Sequence, residues 1–368
     1  CSLSLYRRFK EISKVNWSKV KFGLVDEKWI DNESKETNFY NISEALGDTI
    51  LQKASLSPLV YDLKDENNNL SLAKLSNSVF FNEKSIVLPL GEVKITKKVS
   101  SILIIFRMNT DVEIWDQNRK RLFELPKIDY SKRSINSLIK AIEYFKSKYS
   151  DIHIRTIIVD DNSNEENLSQ IKRIIENKNI DIEPLDYSKY QEIIKKQKNQ
   201  QTFANLASLL QSFEIGKEKG EDLIFFIEDD YIHFEPMLEE MIASYERIAS
   251  QLNRDIFMCP ADYPYLYMNN EKTNILIGNK RHWRTIDKTL CTFLTTKNLL
   301  DKYWDNFYQT CLDRHDPFEK YLNEIYKNEI CISPLKSLSL HLTNINSSYG
   351  LSPFIDYKKL WEENKTND

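Results

Sequence analysis

The chain of 368 residues is poor in glycine, with 7 in all. Phosphate-cradling loops rely on closely spaced glycines, because a residue without a Cβ lets the backbone approach that tightly. Chemistry built on a flexible glycine loop is therefore excluded. Cysteine is scarce too: the five present (Cys1, Cys259, Cys291, Cys311, Cys331) are odd in number and have no Cys-x-x-Cys spacing. This pattern speaks against a disulfide framework or a zinc knuckle and fits reduced thiols in a cytoplasmic setting. No run approaches the roughly 18 uncharged apolar residues of a membrane span. Excess basic charge is also missing, the formal net charge being -4. Nucleic acid is not an expected partner, and Lys195, Lys196 and Lys198 are a local basic patch only.

What is present has a globular balance, 41% hydrophobic and 29% charged, and the length suggests two domains. The polar stretch from Asp62 to Asn69 (DLKDENNN) and the mixed sequence after it separate two differently patterned regions. The expected division is a small N-terminal α/β region, residues 1–95, and a larger domain, residues 96–368. The chain begins at Cys1 rather than Met, as an excerpt or a processed product would.

From Val99 onward, short apolar runs alternate with helix-period segments, the signature of βαβ units and a mostly parallel sheet flanked by helices. Strands are predicted at Ser101 to Phe106 (SILIIF), Ile154 to Val159 (IRTIIV) and Leu223 to Ile227 (LIFFI). Helices are predicted at Ser134 to Tyr149, Glu165 to Asn177 and Gln201 to Lys217, the second capped by Asn162 or Ser163. Each strand ends in polar residues, where a ligand meets the carboxyl edge of such a sheet.

Two acidic clusters sit at these strand ends. Asp160 and Asp161 can accept hydrogen bonds from a base N–H or a ribose hydroxyl, or can cap the following helix. Glu228, Asp229 and Asp230 follow the most apolar strand. Crowding three acids there is costly unless a cation is shared, and Mg²⁺ or Mn²⁺ with diphosphate oxygens would relieve it. A solvated acidic turn is the alternative.

The segment VDDNSNEENL, Val159 to Leu168, resembles the nucleotide-binding strand end of family-2 glycosyltransferases of the glycosyltransferase A fold, and Glu228-Asp229-Asp230 resembles their downstream metal motif. The resemblance implies a nucleotide-diphospho-sugar transferase fold, α/β and Rossmann-like. It further implies that Asp161 contacts the base and that Asp230 holds the metal. Arg107, Asp160, Asn205, Glu228 and Asp229 join the nucleotide-binding candidates. His315 to Leu322 (HDPFEKYL) occupies the place of the family's Glu-Asp-x-x-Leu helix start. Asp316 then becomes the candidate general base, with Glu319 second; Asp316 can also serve as the N-cap before Pro317. His341 lies on an apolar alternating strand, as a core histidine or, by the same resemblance, as a second metal ligand.

Arg281, His282, Trp283 and Arg284 are candidates for pairing with the diphosphate and stacking on the sugar, or form a basic surface turn. Tyr263, Tyr265 and Tyr267 form a sugar platform or pack an edge. In the N-terminal region, Trp17 to Val20 and Asp26 to Ile30 resemble a fragment of 6-phosphogluconolactonase. That family's glycine-rich loop and Gly-x-Asp-Gly-His-type segment are missing, so this region is expected to be non-catalytic.

The glycosyltransferase resemblance implies a metal-dependent, inverting transfer of a hexosyl or N-acetylhexosaminyl group from a UDP-, GDP- or dTDP-sugar to a glycan or glycolipid hydroxyl, with Mn²⁺ or Mg²⁺ as cofactor. Surface-polysaccharide synthesis at the inner face of a membrane, with peripheral association, is the matching setting. A sugar-nucleotide-binding module without turnover and a sugar-phosphate hydrolase are the competing classes.

Overall fold

The computed structural model describes residues 95–111, 121–195, 200–267, 273–313, 315, 317–342, 351–352 and 354–366, the side chains of 194–195, 200–204 and 265 excepted. The expected N-terminal region, with its lactonase-like segment, lies outside the described residues apart from Ile95. So does Asp316.

In chain order the elements are β1 (Ser101–Met108), α1 (Lys127–Lys146), β2 (His153–Asp160), α2 (Glu165–Ile174), β3 (Ile180–Pro184), α3 (Gln191–Lys195), α4 (Gln200–Lys219), β4 (Leu223–Glu228), β5 (Tyr231–His233), α5 (Met237–Leu252) and β6 (Phe257–Met258). They continue with β7 (Ile275–Ile277), β8 (His282–Ile286), β9 (Phe293–Thr296), α6 (Lys297–Lys302), α7 (Trp304–Thr310), α8 (Lys320–Ile325), β10 (Cys331–Pro334), β11 (Ser339–His341) and α9 (Tyr357–Glu363). Two compact units result. The smaller contains, among its described residues, the antiparallel hairpin β7–β8, with Leu276 opposite Trp283, and the end of α5, where Ser250 Oγ accepts from the backbone N–H groups of Thr96 and Lys97 at 2.9 Å.

In the larger unit the strand order is β3-β2-β1-β4-β9-β6-β10. β1 pairs in parallel with β2 and β4, β2 with β3, and β6 with β10, while β9 runs antiparallel to β4 and β6. The expected α/β class, a mixed and mostly parallel sheet flanked by helices, is what the chain forms. Helices on the sheet explain why the strands read as unbroken apolar runs: both faces of β1 are buried, Ile102, Ile104 and Phe106 as fully as Leu103 and Ile105. Leu103, Ile105, Ile157, Val159, Ile224 and Phe226 share one core with α4. Gly216, one of the few glycines, lets α4 approach β4 this closely, since a Cβ there would meet the Phe226 ring at 2.9 Å.

Two sequence expectations need correction. α1 starts at Lys127, well before Ser134, because its first turns bury Ser131, Lys132, Arg133 and Ser134 along with Tyr130, and polar residues at buried positions hide the helical period. The N-cap of α2 is Asn164, whose side chain accepts from Asn167 N at 2.9 Å, not Asn162 or Ser163. Asn162 takes a left-handed turn at φ 56° as the chain leaves β2. Ser163 Oγ instead accepts from the Thr110 backbone at 3.1 Å.

Candidate active site

The strand order reverses direction at β1: β2 and β3 extend the sheet to one side of it and β4 to the other. Open α/β sheets bind ligands at the carboxyl edge of such a switch point. Register then decides which side chains meet there. Arg107 lies beside Val159 on β2 and beside Glu228 on β4. Side chains alternate along strands, so Arg107 shares the face of Leu103 and Ile105, and Glu228 that of Ile224 and Phe226, the face covered by α4. Arg107 accordingly donates through one guanidinium nitrogen to Asn205 Oδ1 on α4 and through the other to Glu228 Oε1.

A cavity of about 160 Å³ opens here, lined by Arg107, Met108, Asn109, Lys127, Asp161, Asn205, Ser208, Glu228, Asp229 and Asp230. Most nucleotide-binding candidates, with Asp230, thus converge on one hollow. The lining carries four carboxylates against the two cations Arg107 and Lys127.

The acids after β4 each have a cationic partner from the protein. Glu228 has Arg107, although burial outweighs that charge and pushes the Glu228 carboxyl up. Asp229 accepts from Lys127 Nζ at 2.5 Å, Ser131 Oγ at 2.5 Å and the Asn109 backbone at 3.2 Å. Asp230 Oδ2 lies 3.2 Å from His341 Nε2. Burial would raise Asp230, but His341, Lys127 and Arg121 overcome it and hold the carboxyl well below the usual range. Burial lowers His341, and Asp230 and Glu228 more than reverse this. The local fold fixes the pair: β11 runs antiparallel to β5 with His341 opposite Tyr231, the two rings stacking at 4.4 Å, and Leu342 N donates to the Asp230 carbonyl at 2.8 Å. The histidine sits beside Asp230 while its strand neighbours Leu340 and Leu342 pack in a core cluster.

The acids after β2 differ. Asp160 Oδ1 is buried without a partner and Oδ2 accepts from the Ser163 backbone at 3.3 Å, the Ser163 hydroxyl also stabilising the carboxylate. Asp161 Oδ1 accepts from Tyr187 Oη at 2.9 Å. Burial pushes both carboxyls up; Tyr187 and Arg107 partly offset this at Asp161.

The fit of a divalent cation can be tested on atoms. Asp230 Oδ1 is buried and unpartnered, and this oxygen with the neighbouring His341 Nε2, which would release the proton it shares with Asp230 Oδ2 on binding, is a donor set that Mn²⁺ or Mg²⁺ accepts. Among the described residues no group of three or more His, Cys, Asp or Glu can hold an ion alone. Asp230 and His341 therefore fit a cation completed by ligand oxygens and water, the usual manner of Mg²⁺ at phosphate sites.

Glu319, at the N-cap of α8, makes no capping bond. Burial, helped by the charge of Glu228, pushes its carboxyl up to about 7. Sequence reasoning ranked it behind Asp316. Reasoning from sequence missed Lys127 and Ser131 altogether; the signal available was Leu125-Pro126, a start cue placing Lys127 in the first helical turn.

The other candidates scatter. In β8 of the smaller unit, His282 is exposed while Trp283 and Arg284 are buried. Tyr263 packs in the core with its hydroxyl 2.6 Å from Tyr231 Oη, and Tyr267 is exposed. Cys259, Cys291, Cys311 and Cys331 are buried and form no disulfide with one another. Among the described residues no helix is long and apolar enough to cross a membrane.

No protein-family model and no curated protein matches the sequence. Similar solved structures include S. aureus TarS 1–349, at 13% identity and TM-score 0.38 over 65% of this chain and 59% of that one. The glycosyltransferase GlyE of Streptococcus pneumoniae TIGR4 is similar at 11% identity and TM-score 0.38, over 74% and 61%. Apo UDP-glucose pyrophosphorylase is similar at 9% identity and TM-score 0.35, over 68% and 95%. The chain thus spans less than two thirds of the length of TarS 1–349 and of GlyE.

Proposed function

We propose that this chain is a metal-dependent glycosyltransferase that takes a sugar from a nucleoside-diphosphate donor. The observation that carries the reading is the cavity at the switch point, where Asp161 at the end of β2 and the acid cluster at the end of β4 line one hollow. Its lining has more carboxylates than cations. An anionic donor would be repelled from it unless a cation entered too, which is the electrostatic support for metal dependence.

In this reading Asp161 accepts from the base and Asp160, whose Oδ1 lacks a partner, from the ribose or its neighbourhood. Arg107, held by Asn205 and Glu228, keeps the cavity wall in register. Asp230 and His341 hold the divalent cation, which when bound would neutralise charge developing on the leaving nucleoside diphosphate. Glu319 is the described residue suited to take the acceptor hydroxyl proton, because a carboxyl near 7 is half ionised at neutral pH. Asp316 remains the other candidate. A single displacement would invert the anomeric centre. The donor is a UDP-, GDP- or dTDP-sugar carrying a hexosyl or N-acetylhexosaminyl group. The acceptor is a glycan or glycolipid hydroxyl, met by a cytoplasmic protein at a membrane face. Arg281 to Arg284 stay candidates for the donor's diphosphate or sugar, and residues 1–95 for a packing or partner-binding role.

The test is release of nucleoside diphosphate from a panel of UDP-, GDP- and dTDP-sugars with Mn²⁺ or Mg²⁺. Asp230→Ala is expected to lower that rate about 100-fold or more. Wild-type rates in the variant would refute the metal role, and donor binding without turnover on any acceptor would favour an inert sugar-nucleotide-binding module.

A further inference from the structure

Lys127 has a chemistry of its own on the cavity wall. An ammonium carries three N–H donors, and among the described residues the Lys127 ammonium has one hydrogen-bond partner, Asp229 Oδ1 at 2.5 Å. Its side chain is 10% exposed, so the remaining donors are largely withdrawn from bulk water, and buried donors left unmatched are costly. The other cation of the lining differs, because both terminal nitrogens of Arg107 are engaged by Asn205 and Glu228. Asp229 in turn is held by Ser131 and the Asn109 backbone, three donors in all fixing one carboxylate. A carboxylate so saturated has little capacity left for a ligand, and what it does is hold the lysine.

We propose, on the glycosyltransferase reading above, that Lys127 binds the second phosphate of the donor's diphosphate and that Asp229 and Ser131 form the bracket that positions its ammonium. The Lys127–Asp229 pair is neutral in sum, so it contributes aimed N–H donors rather than net charge. Lys127 is also the first residue of a 20-residue helix whose N-cap, Pro126, makes no side-chain capping bond, and the positive helix end adds to the preference for an anion. Asp229 is thereby a positioning residue rather than a direct nucleotide contact.

The experiment is calorimetric titration of the full chain, with Mn²⁺, by UDP, GDP and dTDP and by the matching monophosphates. For the nucleotide that binds, Lys127→Met is expected to weaken the diphosphate about 10- to 100-fold, the range for a hydrogen bond to a charged group. The monophosphate should weaken about twofold or less, because Lys127 is assigned to the second phosphate and not to the base. Asp229→Asn should narrow the diphosphate preference in the same direction by a smaller factor. If Lys127→Met does not fold, Lys127→Gln with Asp229→Asn removes both charges together and is read the same way. Equal loss for mono- and diphosphate, or none, overturns the inference while leaving the transferase reading intact. Wild-type protein that binds none of the three diphosphates overturns both.

Discussion

The two acid clusters stand at the ends of the strands that flank β1 and differ in their cationic partners. At the end of β2, Asp160 and Asp161 are buried with no cation in hydrogen-bond contact among the described residues, and burial raises both. After β4, Glu228, Asp229 and Asp230 contact Arg107, Lys127 and His341. Carboxylates without a counter-ion suit neutral donors such as a base N–H or a sugar hydroxyl. Compensated carboxylates can hold cations in a fixed array beside an anion. On the proposed function, the division of labour between nucleoside and diphosphate would lie in the partners of the acids and not in the acids alone.

The comparison breaks most readily at Arg107. Arg107→Met strands Glu228 in a largely buried site and should cost about 3 kcal/mol at neutral pH, the lower end for removing one partner of a buried pair. The loss should shrink toward pH 4 as Glu228 takes a proton, which urea denaturation at several pH values would follow. A loss independent of pH would mean that Arg107 matters by packing instead.

Glu319 sharpens the contrast, since like the β2 acids it is raised by burial with no cation in hydrogen-bond contact among the described residues, whereas Glu228 is raised despite Arg107. If it is the base, kcat/KM rises with pH through about 7, and Glu319→Gln lowers it by about 100-fold or more and flattens that limb. The stability sign is opposite. A carboxyl raised in the folded state favours folding fully below its unfolded value, and this advantage is lost as pH rises through about 7. Glu319→Gln should therefore melt at or above the wild-type temperature at pH 8. A variant that melts lower and keeps its activity would remove Glu319 from the mechanism.

The smallest effect is expected at Asp161. Its folded value is raised, so its stabilisation is present below the unfolded carboxylate range and lost on going to neutral pH. Asp161→Asn should then change stability at pH 7 by about 1 kcal/mol or less, in the stabilising direction. Destabilisation as large as that of Arg107→Met would erase the distinction between the clusters.

Much of this was readable in the amino-acid order. SILIIF, IRTIIV and LIFFI are strands because a sheet covered on both faces demands unbroken apolar runs, and the acids that follow them sit where such strands end. The sequence could not show which cation each acid meets, because those partners lie far along the chain. Lys127 is 102 positions from Asp229 and His341 is 111 from Asp230. Lys127 was the hardest to see: its helix opens on KIDYSKRS, whose buried serines and basic residues look like a polar loop until β5 and the site acids are beside them.

The most direct test of the central claim, a nucleoside-diphosphate site completed by a cation at Asp230 and His341, is thermal unfolding with UDP, GDP and dTDP, each with and without Mn²⁺, in wild type and Asp230→Asn. Binding to the folded state raises the melting temperature. The account predicts a rise with one nucleotide that grows when Mn²⁺ is added, and no such growth in the variant. A rise that is the same with and without Mn²⁺, or none with any nucleotide, would contradict it.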